Sequence, residues 1–312
     1  MRLNPTLQIP SRPLGRTGAA VSALGLGGHH VGQIPNQRHA IDLVHRAIDA
    51  GITFLDNAWE YHEGRSEVIM GKALAGRRDR VFLMTKVCTH GRDKREAMRQ
   101  LEQSLQRLKT DYLDLWQIHE CVYFNDPRRH FAPDGVVEAL VQAKRQGKVR
   151  FIGFTGHKDP AIHLEMLSYD FPFDTCQLPL NCFDASFRSF EVQVLPELLR
   201  LGIAPLGMKS LSGDARQVKQ KVVSAEEALR YAMSLPVATT ISGIDSLTVL
   251  RRNLKVAQGF TPMSARDMAA LRRRVREQAL DGRFELYKTT AQHEGETGRK
   301  QHGYPSSEEL SA

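Results

Sequence analysis

Cysteine is scarce: the 312-residue chain has four, Cys88, Cys121, Cys176 and Cys182, and none stand as a CxxC pair. So few thiols in a chain this long exclude a disulfide-stapled fold and point to reduced thiols, as in the cytoplasm. Long apolar runs are missing too. The longest, such as Val81 to Met84, are strand-sized and fall far short of the roughly 20 apolar residues that cross a bilayer, so no membrane span is expected. The opening MRLNPTLQIPSRPLG carries charge and proline where a secretory leader needs an apolar stretch, so export is not expected and a cytoplasmic location is. No zinc-finger, RNP or helix-turn-helix signature organises the basic residues, which excludes the common modes of nucleic-acid binding. The surplus of charge, 43 Lys and Arg against 35 Asp and Glu, lies partly in LRRRVR at 271–276, which reads as the wet face of a helix.

What the chain has is alternation. Short β-branched or aromatic runs recur between amphipathic stretches, the pattern of repeated βα units. Eight strands are predicted: 23–27, 52–56, 81–87, 112–119, 150–155, 175–180, 204–209 and 238–242. The clearest helix is 93–108, where Ala97, Leu101, Leu105 and Leu108 repeat at helical spacing. Eight such units without a long structureless linker before residue 280 predict a single (β/α)8 barrel, an α/β TIM barrel, rather than two doubly wound domains. Its core is expected over about 12–280 of a single unit spanning 1–312. Gly15 and Gly18 mark a turn in RPLGRTGAAVSALGLGG, so an N-terminal β-hairpin is expected beneath the barrel. A further helix is expected at 264–280. Residues 281–312, polar and aperiodic, are expected to be an irregular tail.

In such barrels reacting groups stand at the C-terminal ends of strands. Three consecutive predicted strands end in a polar residue after an apolar run: Asp56 (ITFLD), Lys86 (VFLMTK) and His119 (YLDLWQIH), while the loop AWEY delivers Tyr61 beside them. Singly these read as a helix cap, a solvated lysine, a core histidine and a packing tyrosine. Jointly they form a proton-donating set. A phenol of ordinary pKa about 10 is a reluctant acid until an ammonium, here Lys86, stabilises its phenolate. Asp56 would hold that ammonium, and a neutral His119 would hydrogen-bond the substrate oxygen. The set contains no nucleophile and no metal cage, so electrons must come from a cofactor, and hydride transfer is the natural inference.

RPLGRTG with VSALGLGG, then LDNAWEYHEGRSE, MTKV, LDLWQIHE and GFTGH, resemble in order the signatures of the aldo-keto reductase superfamily over roughly 12–260. The resemblance implies a catalytic tetrad of Asp56, Tyr61, Lys86 and His119 and reversible reduction of an aldehyde or ketone by NADP(H). Related steroid double-bond reductases carry Glu in place of the histidine, so His119 favours carbonyl over alkene reduction. Barrels bind phosphate at the end of strand seven and the helix start after strand eight. That places Lys209, Ser210, Leu211 and Gly213 on one side of a dinucleotide and Ser242, Gly243, Asp245 and Asn253 on the other. By resemblance, Met208 stacks on the nicotinamide, Thr155 and Gln177 hold its carboxamide, and Gly28 and His29 lie beneath it. The chain departs from the family at Thr155-Gly156, commonly Ser-Asn, and at Gly243 and Val249, where Lys or Arg is common. NADP(H) preference therefore rests on Lys209, Arg251, Arg252 and Lys288, and NAD(H) stays open beside it.

Trp59, Cys88, Cys121 and Tyr123 are the candidates for a substrate pocket, with ordinary packing near the rim as the plainer reading. His29, His30, Cys88, His90, His119 and Cys121 match no known ligand frame, so no metal is expected. The family resemblance also leaves two alternatives: a redox-sensing module like potassium-channel β subunits, or a dehydrogenase working toward alcohol oxidation with NAD. The small-molecule partner is a carbonyl or alcohol in either enzymatic case. Substrate identity and oligomeric state stay open.

Overall fold

Eight parallel strands close on themselves in the computed structural model of the chain. It describes residues 8–88, 92–291, 293–306 and 308–309. The first seven residues and His90, on which part of the export and metal expectations rest, lie outside that set. A two-stranded antiparallel hairpin comes first, β1 (Ser11–Pro13) and β2 (Ala20–Ser22). The barrel strands follow: β3 (Leu24–Gly27), β4 (Phe54–Asp56), β5 (Phe82–Val87), β6 (Leu113–Ile118), β7 (Val149–Thr155), β8 (Thr175–Pro179), β9 (Ala204–Met208) and β10 (Thr239–Gly243). Each pairs with the next, and β10 closes on β3 through Gly243 opposite Gly27.

The hairpin turn uses Gly15 and Gly18, at φ of 54° and 76°, a region open to glycine at little steric cost. Leu14 and Val21 of the hairpin join Phe54, Phe82, Met84, Leu115, Leu206 and Ile241 in one buried cluster that fills the barrel's lower interior. The rings of Phe54 and Phe82 stack at 5.5 Å, and Phe82 and Phe151 at 6.1 Å. With that end plugged, chemistry is left to the opposite rim.

The larger apolar cluster lies between the strands and the surrounding helices. The helix Lys94–Leu108 begins where Asp93 caps it by accepting the Glu96 N–H, and it buries Ala97, Leu101, Leu105 and Leu108 as its spacing predicts. The same helix reaches the rim with its polar side: Gln100 accepts the Cys88 N–H at 2.8 Å and Gln103 accepts the Trp59 indole N–H at 2.9 Å. The helix after the barrel spans Ala265–Ala279, and its LRRRVR stretch buries Leu271 and Val275 while its arginines stay at the surface or partly exposed. No helix among the described residues is long and apolar enough to cross a membrane.

The tail is more ordered than its composition suggests. It forms two short helices, Leu286–Thr289 and Glu296–Gln301, and buries Glu285, Tyr287, Lys288 and Arg299. Its polar residues are spent on the barrel's own loops. Lys288 pairs with Asp184 at 2.6 Å and Glu285 at 2.9 Å, Lys158 donates to the Thr290 carbonyl at 2.8 Å, and Arg92 reaches Gln301 at 3.1 Å. Composition alone treats such residues as solvated, whereas here all but one of these partners, Glu285, lie more than 100 positions away.

Candidate active site

Strand register brings the predicted tetrad together. Asp56 ends β4 and Lys86 lies in β5 one residue before its end; the Lys86 ammonium stands 2.5 Å from Asp56 and donates to the Asn57 carbonyl at 2.8 Å. It also donates to the Tyr61 hydroxyl at 3.3 Å. His119, just past β6, packs its ring edge-on to Tyr61 with centroids 5.6 Å apart. The Lys86 side chain is 1% exposed, so its charge is fully desolvated and needs Asp56 as its partner.

Tyr61 is held by the loop that carries it. Trp59 N–H donates to the Lys86 carbonyl at 3.1 Å and Tyr61 N–H to Ala58 at 3.2 Å. Arg107 donates to the Trp59 carbonyl at 2.9 Å and pairs with Glu67, which is fully buried against the Thr85 hydroxyl. Gly64 completes the turn at φ of 86°, where an added Cβ would lie 2.4 Å from the Arg107 guanidinium carbon.

Burial opposes the easing of Tyr61 toward phenolate that Lys86 is expected to give. Burial first, then the charges of Asp56, Glu60 and Glu120, push the Tyr61 hydroxyl well above the usual tyrosine range. Tyr61 is thereby kept as a protonated donor.

Two of those carboxylates were not singled out from sequence. Glu60 lies 2.5 Å from His119 Nδ1, and Glu120 accepts the Gly295 N–H of the tail at 3.1 Å. Burial and the charge of Glu60 push Glu120 up, to about 7. The available signal was their position: each adjoins a predicted reacting residue, Tyr61 or His119.

The remaining candidates divide by location. Thr155 and Gln177 are opposite each other across β7 and β8, both buried. Gln177 donates its amide to the Met208 sulfur at 3.6 Å, while its carbonyl oxygen is buried without a hydrogen-bond partner among the described residues. Gly28 is buried at the end of β3, and the His29 ring meets the Tyr61 ring at 5.1 Å. Burial, then His30, His62, Lys209 and Lys86, depress His29 to about 4, so it is neutral at physiological pH.

Lys209, Ser210, Leu211 and Gly213 form the loop after β9. Lys209 adopts φ of 54° and its ammonium is brought down to about 8 by burial, against the pull of Glu120. The tail covers this loop: a Cβ on Gly213 would stand 3.6 Å from His293 and 3.9 Å from Tyr287. At the other side, Ser242 lies one residue before the end of β10 with its hydroxyl accepting from Asn253 at 2.8 Å, and Gly243 and Asp245 precede the helix Leu247–Ala257, which Ser246 caps. Lys288 is not there to meet a phosphate, because its ammonium is buried between Asp184 and Glu285.

Of the pocket candidates, Trp59 and Cys88 lie beside the tetrad, the Cys88 thiol donating to the Glu60 carboxylate. Cys121 is fully buried in the large apolar cluster, its N–H bonded to the Thr155 carbonyl. Tyr123 packs against the tail, 4.0 Å from the His302 ring and 5.2 Å from Tyr304.

Comparison with known proteins agrees with this layout. Residues 23–227 match the profile of the Aldo/keto reductase family. Aldo-keto reductase YhdN of Bacillus subtilis is 33% identical over 195 residues, 58% of this chain and 55% of that protein, so the chain spans about half the length of this relative. The 6-dehydroglucose reductase of Novosphingobium aromaticivorans is 32% identical over 225 residues, 65% of this chain and 69% of that protein. The crystal structure of an aldo-keto reductase from Klebsiella pneumoniae in complex with NADPH superposes with a TM-score of 0.71 at 25% identity, covering 85% of this chain and 95% of that one. The chain belongs to the aldo/keto reductase family.

Proposed function

We propose that this chain, acting as a single unit over 1–312, is an NADP(H)-dependent oxidoreductase that reduces an aldehyde or ketone to the alcohol, reversibly, with Tyr61 as proton donor. The observation that carries the reading is the chain Tyr61–Lys86–Asp56, closed at 3.3 and 2.5 Å on the C-terminal rim of the barrel. The residues present suit a nicotinamide. The unpartnered Gln177 carbonyl oxygen and the buried Thr155 hydroxyl offer an acceptor and a donor for its carboxamide. The loop from Lys209 to Gly213 and the helix start after Ser242, Gly243 and Asp245 would hold the phosphates, with Asn253 bracing Ser242. Lys209, Arg251 and Arg252 supply the positive charge for the additional phosphate of NADP(H). The bound nicotinamide supplies the hydride.

The protein's part is the proton. Burial and the three carboxylates keep Tyr61 protonated until the carbonyl oxygen gains charge, at which point its proton passes to that oxygen. The phenolate left behind is compensated by Lys86 at 3.3 Å. Asp56 keeps the ammonium charged and aimed, and Trp59 and Cys88 border the space where the carbonyl compound sits.

The test is the consumption of reduced nicotinamide with a panel of aldehydes and ketones, NADPH and NADH in parallel. Tyr61→Phe should lose roughly 100-fold or more in turnover, the scale of a general acid, with the cofactor dissociation constant unchanged. Undiminished turnover by Tyr61→Phe overturns the assignment. Tight cofactor binding without turnover on any substrate favours the redox-sensing reading.

A further inference from the structure

Glu60 neither gives nor takes a proton in the path above, yet it makes the closest contact of His119. One carboxylate oxygen stands 2.5 Å from His119 Nδ1 and the other accepts the Cys88 thiol. The imidazole is 8% exposed, and its second nitrogen, Nε2, makes no protein hydrogen bond among the described residues. Glu60 has a neighbour, Glu120, that is pushed up by burial and by the charge of Glu60 itself.

With one oxygen accepting the Cys88 thiol, Glu60 faces Nδ1 as a carboxylate, which only accepts, and the contact then places the hydrogen on Nδ1. The tautomer follows from the partner. A neutral imidazole so held has a bare Nε2, able to accept from a hydroxyl but not to donate to a carbonyl oxygen. This revises the expectation that a neutral His119 would donate to the substrate. Only the doubly protonated ring has N–H groups on both sides, one for Glu60 and one for a carbonyl.

We propose that Glu60 is a positioning residue for the reaction proposed above: by holding the Nδ1 hydrogen of His119 it dedicates Nε2 to the reacting oxygen. On that reading Nε2 donates to the carbonyl oxygen when the ring is doubly protonated and accepts from the alcohol hydroxyl when it is neutral. The balance of the reaction is unaltered. The carbonyl carbon takes the hydride pair, the oxygen takes the Tyr61 proton, and His119 contributes hydrogen bonds without changing its proton count.

The experiment uses the full chain with ¹⁵N-labelled histidine. Long-range ¹H–¹⁵N spectra report which ring nitrogen is protonated, and His119→Gln identifies the His119 signals by their loss. Wild type should show the Nδ1–H pattern at a pH where the ring is neutral. Glu60→Gln, whose amide oxygen still accepts, should keep that pattern, and Glu60→Ala should spread the proton over both nitrogens. In carbonyl reduction Glu60→Ala should lower kcat roughly 10- to 100-fold, the scale seen when a group orienting a reactive imidazole is lost, while KM stays within a factor of about three. Glu60→Gln should recover most of that loss. An Nε2–H pattern in wild type, an unchanged pattern in Glu60→Ala, or unchanged kcat in Glu60→Ala overturns the proposal. The tautomer readout needs no turnover, so failure of the carbonyl-reductase reading, seen as full activity in Tyr61→Phe, is told apart from failure of this one.

Discussion

Replacing Lys288 by methionine tests how the tail is fastened. The Lys288 side chain is fully buried, and its ammonium meets Asp184 at 2.6 Å, Glu285 at 2.9 Å and the Phe187 carbonyl at 2.8 Å. Methionine fills much of the stem's volume and removes the charge. Breaking a buried ion pair from one side costs roughly 3–5 kcal/mol, because the partner is left uncompensated. Asp184 is well provided for even then: it keeps the Ser189 hydroxyl and the Phe190 and Glu191 N–H groups. Glu285 keeps the Tyr287 hydroxyl at 2.5 Å and the Asn181 amide at 3.1 Å. Burial already pushes Glu285 upward, with Lys288 opposing, so without the lysine it relieves its charge by taking a proton. The expected loss therefore lies at the low end, about 3 kcal/mol. At about 2 °C per kcal/mol for a chain of this size, the melting temperature should fall by about 6 °C. Circular dichroism melts measure it, and limited proteolysis tells release of the tail from loss of the barrel. The double variant Lys288→Met with Glu285→Gln should recover at least half of the loss. A melting temperature within about 1 °C of wild type, with no new cleavage in the tail, refutes the reasoning.

Acid should destabilise the fold through buried histidines. Burial brings His130 down to about 3, His163 to about 4 and His157 well below its usual value of 6.5. A base depressed in the folded state binds fewer protons there than in the unfolded chain, so its contribution is complete above pH 6.5 and is lost as pH falls toward the folded value. At pH 5 His130 and His163 each cost about 2 kcal/mol, and His157 adds in the same direction. Glu120, raised to about 7, works in the opposite sense and offsets roughly half of the total. Urea melts from pH 7.5 to 5 should lose a few kcal/mol; a flat profile contradicts the burial of these rings. Gly64→Ala puts a side chain at φ of 86° and displaces Arg107 from Trp59 and Glu67. It should cost about 1–2 kcal/mol in a thermal melt and lower turnover by loosening Tyr61; unchanged stability and turnover would remove Arg107 from the account of the loop.

The barrel and the meeting of Asp56, Tyr61, Lys86 and His119 at its rim were legible because both depend on local pattern. Strand runs such as VFLMTK and LDLWQIH declare their burial by composition, and a polar residue ending each run marks the rim whichever way the loops turn. Ala97, Leu101, Leu105 and Leu108 declare a helix face in the same way. The glycines of the hairpin announce its turn by the φ values that they alone adopt at little cost.

Other features are decided only when distant segments meet. The high pKa direction of Tyr61 follows from its burial and then from the carboxylates Asp56, Glu60 and Glu120, brought to it by the closure of β4, β5 and β6. His119 receives its proton arrangement from Glu60, 59 positions earlier, and Lys288 becomes a buried anchor because Asp184 lies 104 positions before it. Sequence by itself determined the order of elements, the plugged end and the grouping of Asp56, Tyr61, Lys86 and His119, since hydrophobic period and strand ends are local. The tertiary structure decided the charge state of the site and the order of the tail, since electrostatic energy depends on distance through space and on burial, which sequence separation does not report.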